Sequence, residues 1–199
     1  MEPGRRLEEA LRATGALLEG HFLLSSGRHA GRYVQCARLL QHPERAEAAC
    51  RDLAGILEEA GAGPVDAVVG PAMGAVVLAH ELARALGARG LFAERLAEGG
   101  FALRRGFEVK PGERVLVCED VVTTGRSARE VLEMLDEIGA PALGVASLVN
   151  RSGGPRPFGE LPYFRLLDLE VPSWEPQNCP LCAAGAEPPV KPGSRPAPS

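Results

Sequence analysis

The chain has 199 residues, of which 45% are hydrophobic and 24% charged, with a formal net charge of −4. These values are ordinary for one globular domain with a sizeable core and short appendages. The acidic balance argues against a nucleic-acid-binding surface, and no apolar run reaches the length of a transmembrane helix. Since Met1–Arg6 lacks the apolar core of a signal peptide, we expect a cytoplasmic protein that binds neither nucleic acid nor membranes.

The first 42 residues predict a helix followed by a hairpin. Apolar residues recur at helical spacing from Leu7 to Leu18, and we expect this helix to end at Gly20. Phe22–Leu24 and Tyr33–Cys36 are predicted as two short strands, with a turn between them. We therefore expect residues 1–42 to form a small hood that is separate from the rest of the chain.

From residue 43 onward the pattern alternates between strands and helices. Pro43 suits the first turn of a helix, and residues 94–105 fit either two short strands or a mobile loop. The predicted core strands are Ala67–Val69, Gly90–Ala93, Val115–Cys118, Leu143–Val149 and Tyr163–Leu169. This alternation indicates a parallel, doubly wound α/β sheet over residues 43–175, which binds ligands at the carboxyl ends of its strands. Residues 176–199 are predicted to form a C-terminal segment with a CxxC sequence and a tail that is disordered from Glu187.

The most informative stretch follows the Val115–Cys118 strand. Two acids, Glu119 and Asp120, come first, then a loop with three hydroxyl residues and one glycine, then apolar residues at helical spacing. A loop at a helix start presents unpaired N–H groups and the positive end of the helix dipole, which suits a phosphate. The two acids would repel that phosphate and instead suit neighbouring hydroxyls or a metal. Phosphate beside vicinal hydroxyls describes a ribose 5-phosphate.

This stretch resembles the signature of the type I phosphoribosyltransferases, which use phosphoribosyl pyrophosphate (PRPP). The resemblance implies that family's fold, a parallel doubly wound sheet under a small N-terminal hood, and a Mg²⁺ ion held mainly by PRPP, with Asp120 the one protein ligand considered. The implied PRPP-binding residues are Glu119, Asp120, Val121, Val122, Thr123, Thr124, Gly125, Arg126 and Ser127, with Ala72 and Met73 of the 70–74 loop as a pyrophosphate cradle.

Other segments resemble the orotate phosphoribosyltransferases in particular. These are Phe22–Arg28, Arg32–Val34, Gly70–Ala72 and Leu148–Arg151, while Cys179–Cys182 and Lys191–Arg195 resemble a Thermus-type subgroup. In that family the strand end around Arg151 places an arginine on the orotate carboxylate, and a guanidinium can pair with a carboxylate through two hydrogen bonds. The resemblance implies transfer of ribose 5-phosphate from PRPP to orotate in pyrimidine (UMP) biosynthesis, with Thr123, Tyr33 and Arg151 at the base.

Two other functions remain open at this stage. A purine or uracil phosphoribosyltransferase would share the PRPP motif, but its base lacks the carboxylate that Arg151 would bind. A non-catalytic PRPP-binding regulator usually needs a second, nucleic-acid-binding part, for which the chain has neither spare length nor a basic patch.

The chain also departs from the common family pattern. The lysine that precedes Ser-Gly-Arg is replaced by Ser25, and the loop after residue 95 lacks the usual lysine and histidine. Because Lys110 and Lys191 are the only lysines, we expect Arg95 and Arg104, or Arg105, to act on the pyrophosphate beside the catalytic acids Glu119 and Asp120. In the family this loop reaches the neighbouring subunit, which implies a homodimer.

Five cysteines are present, and we expect no disulfide framework. Cys50 and Cys118 lie in apolar patterns and are predicted core residues. We expect Cys179 and Cys182 to be packing or exposed residues, because a zinc site needs four ligands and no second CxxC or histidine pair is evident. A zinc ion shared across a dimer stays open. Of the four scattered histidines, we expect only His29 to lie near the substrate end of the molecule.

Overall fold

The structure, a computed structural model, describes residues 2–24 and 26–192. Within these ranges the strands, in chain order, are β1 (Leu17–Leu23), β2 (His29–Val34), β3 (Ala67–Pro71), β4 (Arg89–Arg95), β5 (Phe101–Leu103), β6 (Val115–Val122), β7 (Ala142–Asn150), β8 (Tyr163–Asp168) and β9 (Ser173–Trp174). The helices are α1 (Pro3–Ala13), α2 (Ala37–Leu40), α3 (Pro43–Glu59), α4 (Val76–Leu86), α5 (Arg126–Ile138) and α6 (Pro180–Ala183), with a 3₁₀ turn at Pro176–Asn178. In the part of the chain so described, no helix combines the length and apolarity needed to cross a bilayer.

The main sheet has the order β5-β4-β3-β6-β7-β8 in the described residues, and all of its pairs are parallel except β4 with β5. Its central strand β6 is buried on both faces. Leu116 packs in one cluster with Leu53 of α3 and Leu82 of α4, whereas Val117 packs in another with Leu135 of α5. Successive side chains of a strand point to opposite faces, so helices cover both sides of the sheet. The predicted doubly wound α/β fold is confirmed.

A second, antiparallel sheet forms the hood, with the order β1-β2-β9. Its third strand comes from the far end of the chain, and Arg28 fastens it: the Arg28 Nη2 donates to the Ser173 carbonyl oxygen over 2.6 Å, and its Nη1 pairs with Glu175. Helix α1, by contrast, packs its buried Leu7 and Leu11 into the core. The hood is therefore assembled from both ends of the chain, and the domain boundaries at 42 and 175 stay predictions.

The predicted N-terminal helix is too long. It ends at Ala13, where the Thr14 hydroxyl donates back to the Ala10 carbonyl oxygen over 2.8 Å and Gly15 takes the left-handed conformation, φ +63°. Gly20 lies inside β1 instead. The second hairpin strand begins earlier than predicted, at His29, and it ends at Val34, because Cys36 is the N-cap residue of α2.

Two more boundaries differ from the expectations, and one alternative that the sequence left open is resolved. Of the two alternatives for residues 94–105, the structure shows strands, because β5 pairs with the end of β4. Strand β6 continues to Val122, so Glu119 and Asp120 belong to it. The tail is not disordered from Glu187, since the Val190 N–H donates to the His21 carbonyl oxygen over 2.9 Å and its own carbonyl accepts from the Leu23 N–H. Ser25 and residues 193–199 lie outside the described residues.

Candidate active site

The acidic pair lies where β6 approaches the carboxyl end of the sheet. As neighbours in a strand, Glu119 and Asp120 face different sides. Asp120 lines a cavity of about 670 Å³ between the sheet and the hood, and Glu119 lines a smaller one of about 140 Å³. Thr123 and Thr124 line both cavities, so the two spaces are contiguous.

Both acids hold their protons more tightly than usual. Burial raises the pKa of Glu119 to about 8, and the neighbouring Asp120 adds to this shift. Burial also raises the pKa of Asp120, although the Val121 N–H opposes it by donating to Oδ1 over 2.9 Å. Burial therefore favours the protonated form of Glu119 near neutral pH.

The turn at residues 123–127 has the geometry of an anion site. Gly125 caps α5 with φ +72°, and a Cβ there would lie 3.0 Å from a ring carbon of Phe158, so both conformation and space require glycine. Among the described residues, the N–H groups of Thr123, Thr124 and Gly125 donate to no protein acceptor. These free donors and the helix dipole surround the smaller cavity, as the sequence predicts for a phosphate.

Arg129 braces this turn. Its guanidinium donates to the Thr124 carbonyl oxygen and, over 2.8 Å, to that of Pro157, in the loop after β7. The sequence analysis missed this residue. Its one signal is its place four residues after Gly125 on the following helix, where a side chain reaches back over the preceding turn.

Arg95 stands at the edge of the turn. Its Nη1 donates to Glu130 over 2.6 Å, its Nη2 reaches the Ser127 hydroxyl at 3.5 Å, and its guanidinium lies 4.4 Å from the centre of the Phe101 ring. Arg126 donates to the same Glu130 over 2.7 Å, and these two arginines hold the pKa of the Glu130 carboxyl below its usual value. The structure therefore brings Arg95 and Arg126 to the phosphate side of the site.

Arg104 lies elsewhere. It is exposed just after β5, and within residues 2–24 and 26–192 its side chain makes no hydrogen bond or ion pair. Its neighbour Arg105 pairs with Glu94 over 2.7 Å. Neither arginine lines the two cavities of the same chain.

The predicted pyrophosphate loop passes beside the acids. A Cβ on Gly74 would lie 3.3 Å from the Asp120 Oδ1. The Ala72 N–H donates to the Ala93 carbonyl oxygen, and the peptide bond from Ala72 to Met73 is cis. Among the residues that the structure describes, the N–H groups of Met73 and Gly74 have no protein acceptor, and Met73 is 83% exposed.

The base side of the large cavity combines distant parts of the chain. Tyr33 of β2 and Arg151, directly after β7, both line it. The Arg151 Nε is buried and has no hydrogen-bond partner in the described part of the chain. Burial lowers the pKa of Arg151, because the charged form is desolvated there. A buried guanidinium without a partner is costly, so this site is suited to an anionic ligand.

The residue before Arg151 fixes the turn on which it stands. Asn150 donates to the Asp168 carboxylate over 2.7 Å and accepts from the Ser152 hydroxyl over 2.7 Å. The Arg151 N–H donates to the Val122 carbonyl oxygen over 2.7 Å. Sequence reasoning missed this role of Asn150. His29 lies in the hood hairpin as expected, but it does not line the cavity, and its ring lies against His21 and the two cysteines of the CxxC.

Comparison with known proteins agrees with this geometry. The family model described as "Phosphoribosyl transferase domain" matches residues 36–174, and the chain belongs to that family. Relatives named orotate phosphoribosyltransferase are 53% identical in Heliobacterium modesticaldum, over 94% of this chain and 96% of the relative, and 53% identical in Thermotoga maritima, over 95% and 98%. Within the family, the chain is thus one of the orotate phosphoribosyltransferases.

Solved structures show the same fold. The crystal structure of orotate phosphoribosyltransferase from Aeropyrum pernix superposes with a TM-score of 0.71 at 28% identity, covering 82% of this chain and 93% of that one. Adenine phosphoribosyltransferase from Saccharomyces cerevisiae, at 20% identity and a TM-score of 0.64, covers 80% and 99% and shares the fold alone.

Proposed function

We propose that the two contiguous cavities transfer ribose 5-phosphate from PRPP to orotate, giving orotidine 5′-phosphate and pyrophosphate in UMP biosynthesis in the cytoplasm. The observation that carries this proposal is the half-buried side chain of Arg151, whose buried Nε has no hydrogen-bond partner among the described residues and which lines the same cavity as Asp120 and Thr123. Orotate is a pyrimidine with a carboxylate, so it supplies the missing partner. Uracil and purine bases do not.

The 5-phosphate occupies the smaller cavity in this proposal. The N–H groups of residues 123–125 donate to its oxygens, the hydroxyls of Thr124 and Ser127 add donors, and Arg126 contributes positive charge. Gly125 lets the backbone approach closely. The side chain of Val122 is fully buried, so that residue, like Val121, would act through its backbone or by shaping the wall.

Glu119 and Asp120 contact the ribose in this arrangement. Their carboxyl groups accept hydrogen bonds from the ribose hydroxyls, and their negative charge favours the positive charge that develops at the anomeric carbon, by analogy with glycoside chemistry. The reaction needs no protein nucleophile. The hood, through Tyr33 and its neighbours, covers the base side of the cavity and limits the access of water.

The leaving pyrophosphate lies near Met73 and Gly74, whose N–H groups are available, with Ala72 and Arg95 beside them. Mg²⁺ fits this corner, because the Asp120 carboxylate offers the hard oxygen ligand that the ion prefers while the diphosphate supplies others. When bound, the ion neutralises charge on the departing diphosphate.

A homodimer completes the proposal. Arg104 is exposed and does not line the cavities of its own chain, so a role on pyrophosphate requires the site of a second copy. Mixing the Arg104→Ala and Arg151→Ala proteins, each inactive as a homodimer, should then restore about a quarter of wild-type activity, because half of the dimers are mixed and each has one intact site. No restoration would contradict the shared site.

The substrate test is a panel of bases. The enzyme is incubated with PRPP, Mg²⁺ and orotate, uracil or adenine in turn, and base consumption is followed together with pyrophosphate release. Turnover with orotate alone supports the proposal. Turnover of uracil or adenine would assign a different base, and PRPP binding without turnover of any base would indicate a regulator.

A further inference from the structure

Four potential metal ligands meet outside the active-site cavity. His21 of β1, His29 of β2, Cys179 and Cys182 bring one ligand atom each to within 4.8 Å of one another. His21, His29 and Cys179 are 9%, 6% and 2% exposed, and Cys182 lies at the surface. The cysteines are at least 150 residues away from the histidines, so only the folded chain assembles this group.

Four of the six distances among these atoms are close to those of a tetrahedral centre, and all of the atoms lie within 4.8 Å of one another. The Cys179 Sγ lies 3.5 Å from the His21 Nε2, and the Cys182 Sγ lies 3.7 Å from that nitrogen and 3.3 Å from the His29 Nδ1. Zinc bonds of ~2.0 Å to nitrogen and ~2.3 Å to sulfur place tetrahedral ligand atoms roughly 3.3–3.8 Å apart. The two nitrogens, 2.9 Å apart, need to separate by only a few tenths of an ångström.

The protonation of His21 supports metal binding. Its Nδ1 lies 2.8 Å from the Glu187 carbonyl oxygen, which can only accept, so Nδ1 carries the proton. The Nε2 of the neutral ring is then left with a lone pair that faces the other three ligand atoms. Histidines that bind metals commonly donate their second nitrogen in this way, which fixes both tautomer and ring orientation.

We propose that His21, His29, Cys179 and Cys182 bind one Zn²⁺ ion as a structural Cys₂His₂ site. Two thiolates with two imidazoles in a tetrahedral arrangement suit zinc, and four protein ligands leave no open position for catalysis. On binding, each thiol loses its proton to solvent, the neutral His29 ring carries its proton on Nε2 instead of Nδ1, and two zinc–sulfur and two zinc–nitrogen bonds form. The reaction involves no oxidant or reductant.

The site joins the two ends of the chain. Its histidines lie on the hood hairpin, and its cysteines lie on the segment that follows β9. This segment pairs with β1 through Val190, and β9, which directly precedes it, pairs with β2 through Trp174. A metal that binds only the folded arrangement stabilises it, so zinc fastens the C-terminal segment onto the hood over the base side of the cavity.

The test uses the full-length protein without an affinity tag, produced in zinc-supplemented medium and dialysed against metal-free buffer. Elemental analysis should give about one zinc per chain. Cys182→Ser, a change at an exposed position, should lower the zinc content at least tenfold, whereas Cys50→Ala, at a buried cysteine outside the cluster, should keep it. Replacing zinc by cobalt should give the visible absorption of a tetrahedral thiolate centre, which Cys182→Ser lacks.

Two results would overturn the proposal. One is a wild-type protein with less than a tenth of a zinc per chain, whether mass spectrometry finds Cys179 and Cys182 as free thiols or joined in a disulfide. The other is a Cys182→Ser protein that keeps wild-type zinc content. Elemental analysis of the wild type does not depend on how any variant folds.

Discussion

The phosphate side and the base side of the cavity are built in different ways. The phosphate side consists of residues 119–127, a contiguous strand end, turn and helix start, whose donors are backbone N–H groups. The base side joins Tyr33 of the hood with Arg151 of the sheet, 118 positions apart in the sequence. Backbone donors at a helix start suit any phosphate, whereas a single buried guanidinium discriminates among bases. In the proposed arrangement, phosphate binding is therefore local, and base selectivity depends on the position of the hood relative to the sheet.

The largest expected effect comes from a substitution that impairs only the base side of the cavity. Arg151→Gln leaves a carboxylate without its charged partner, and loss of one partner of a buried charge pair typically costs ~3–5 kcal/mol, which corresponds to roughly 10²- to 5 × 10³-fold. We expect the KM for orotate to rise by that factor while the dissociation constant of PRPP changes less than twofold. Steady-state kinetics and PRPP titration measure the two.

Arg156→Gln is the matched control. Arg156 lies five residues further on and makes only an exposed ion pair with Glu160, so its KM for orotate should stay at the wild-type value. Equal effects of the two changes would mean that Arg151 does not bind orotate.

The next largest effect is expected from a substitution that distorts the phosphate side of the cavity. Gly125→Ala forces a Cβ to 3.0 Å from Phe158 at a φ of +72°, which displaces the turn. Since backbone strain and a close contact cost ~1–3 kcal/mol, PRPP affinity should fall about ten- to a hundredfold by calorimetry. Gly112→Ala shares the positive φ, +83°, but would meet no atom within 4 Å. If Gly112→Ala weakens PRPP binding as much as Gly125→Ala does, the contact between residue 125 and Phe158 does not explain the loss of affinity.

A smaller effect is expected for Arg95. Arg95→Ala removes a cation beside Ser127, and a partly exposed charge of this kind should lower turnover about tenfold, in keeping with ~1–2 kcal/mol. Arg89→Ala, at the opposite end of the same strand, should leave turnover unchanged. Near-normal turnover of both Arg95→Ala and Arg104→Ala would show that the positive charge on pyrophosphate comes from elsewhere.

The ionisation of Glu119 should be visible in the pH dependence of kcat/KM for PRPP. Because the pKa of Glu119 is about 8, Glu119 is protonated in the free enzyme at pH 7 and ionises as the pH rises. If both carboxylates must be charged, kcat/KM for PRPP rises with pH, reaches half of its plateau near pH 8 and levels off above that, since this ratio reports the free enzyme. The Glu119→Gln profile should lose that rising limb, and a wild-type profile that is flat from pH 6 to 9 would contradict the requirement.

The same shift predicts a small change in stability. Between pH 4.5, the ordinary pKa of the carboxyl, and about 8, the native state holds a proton on Glu119 that the unfolded state has released. Stability therefore falls as the pH rises through this window. Melting curves should show Glu119→Gln more stable relative to wild type at pH 8.5 than at pH 5, and a difference that does not vary with pH would contradict the shift.

Features built from contiguous residues could be predicted from the sequence, whereas features built from distant residues could not. The turn at Thr123–Ser127 and its phosphate-binding geometry were predictable because strand, glycine and helix start are adjacent in the chain. The core strands were predictable from their apolar runs. The end of α1 was not, because Leu17 and Leu18 continue the helical spacing while Thr14 and Gly15 end the helix.

Groups assembled by long-range folding were out of reach. Arg151 was identified only through the family resemblance, and its support by Asn150 and Asp168 depends on the pairing of β7 with β8. The histidines beside the CxxC were missed because nothing local links His21 to Cys179. Arg129 was missed because a helix residue that bonds to a carbonyl oxygen leaves no sequence pattern.

The most direct test of the account is a structure with orotidine 5′-phosphate, a single ligand that carries both the 5-phosphate and the carboxylated base. The account predicts the phosphate within hydrogen-bond distance of the N–H groups of Thr124 and Gly125, the ribose hydroxyls on Glu119 and Asp120, and the carboxylate paired with Arg151. A phosphate bound away from residues 123–127, or a carboxylate that leaves Arg151 unpaired, would contradict it.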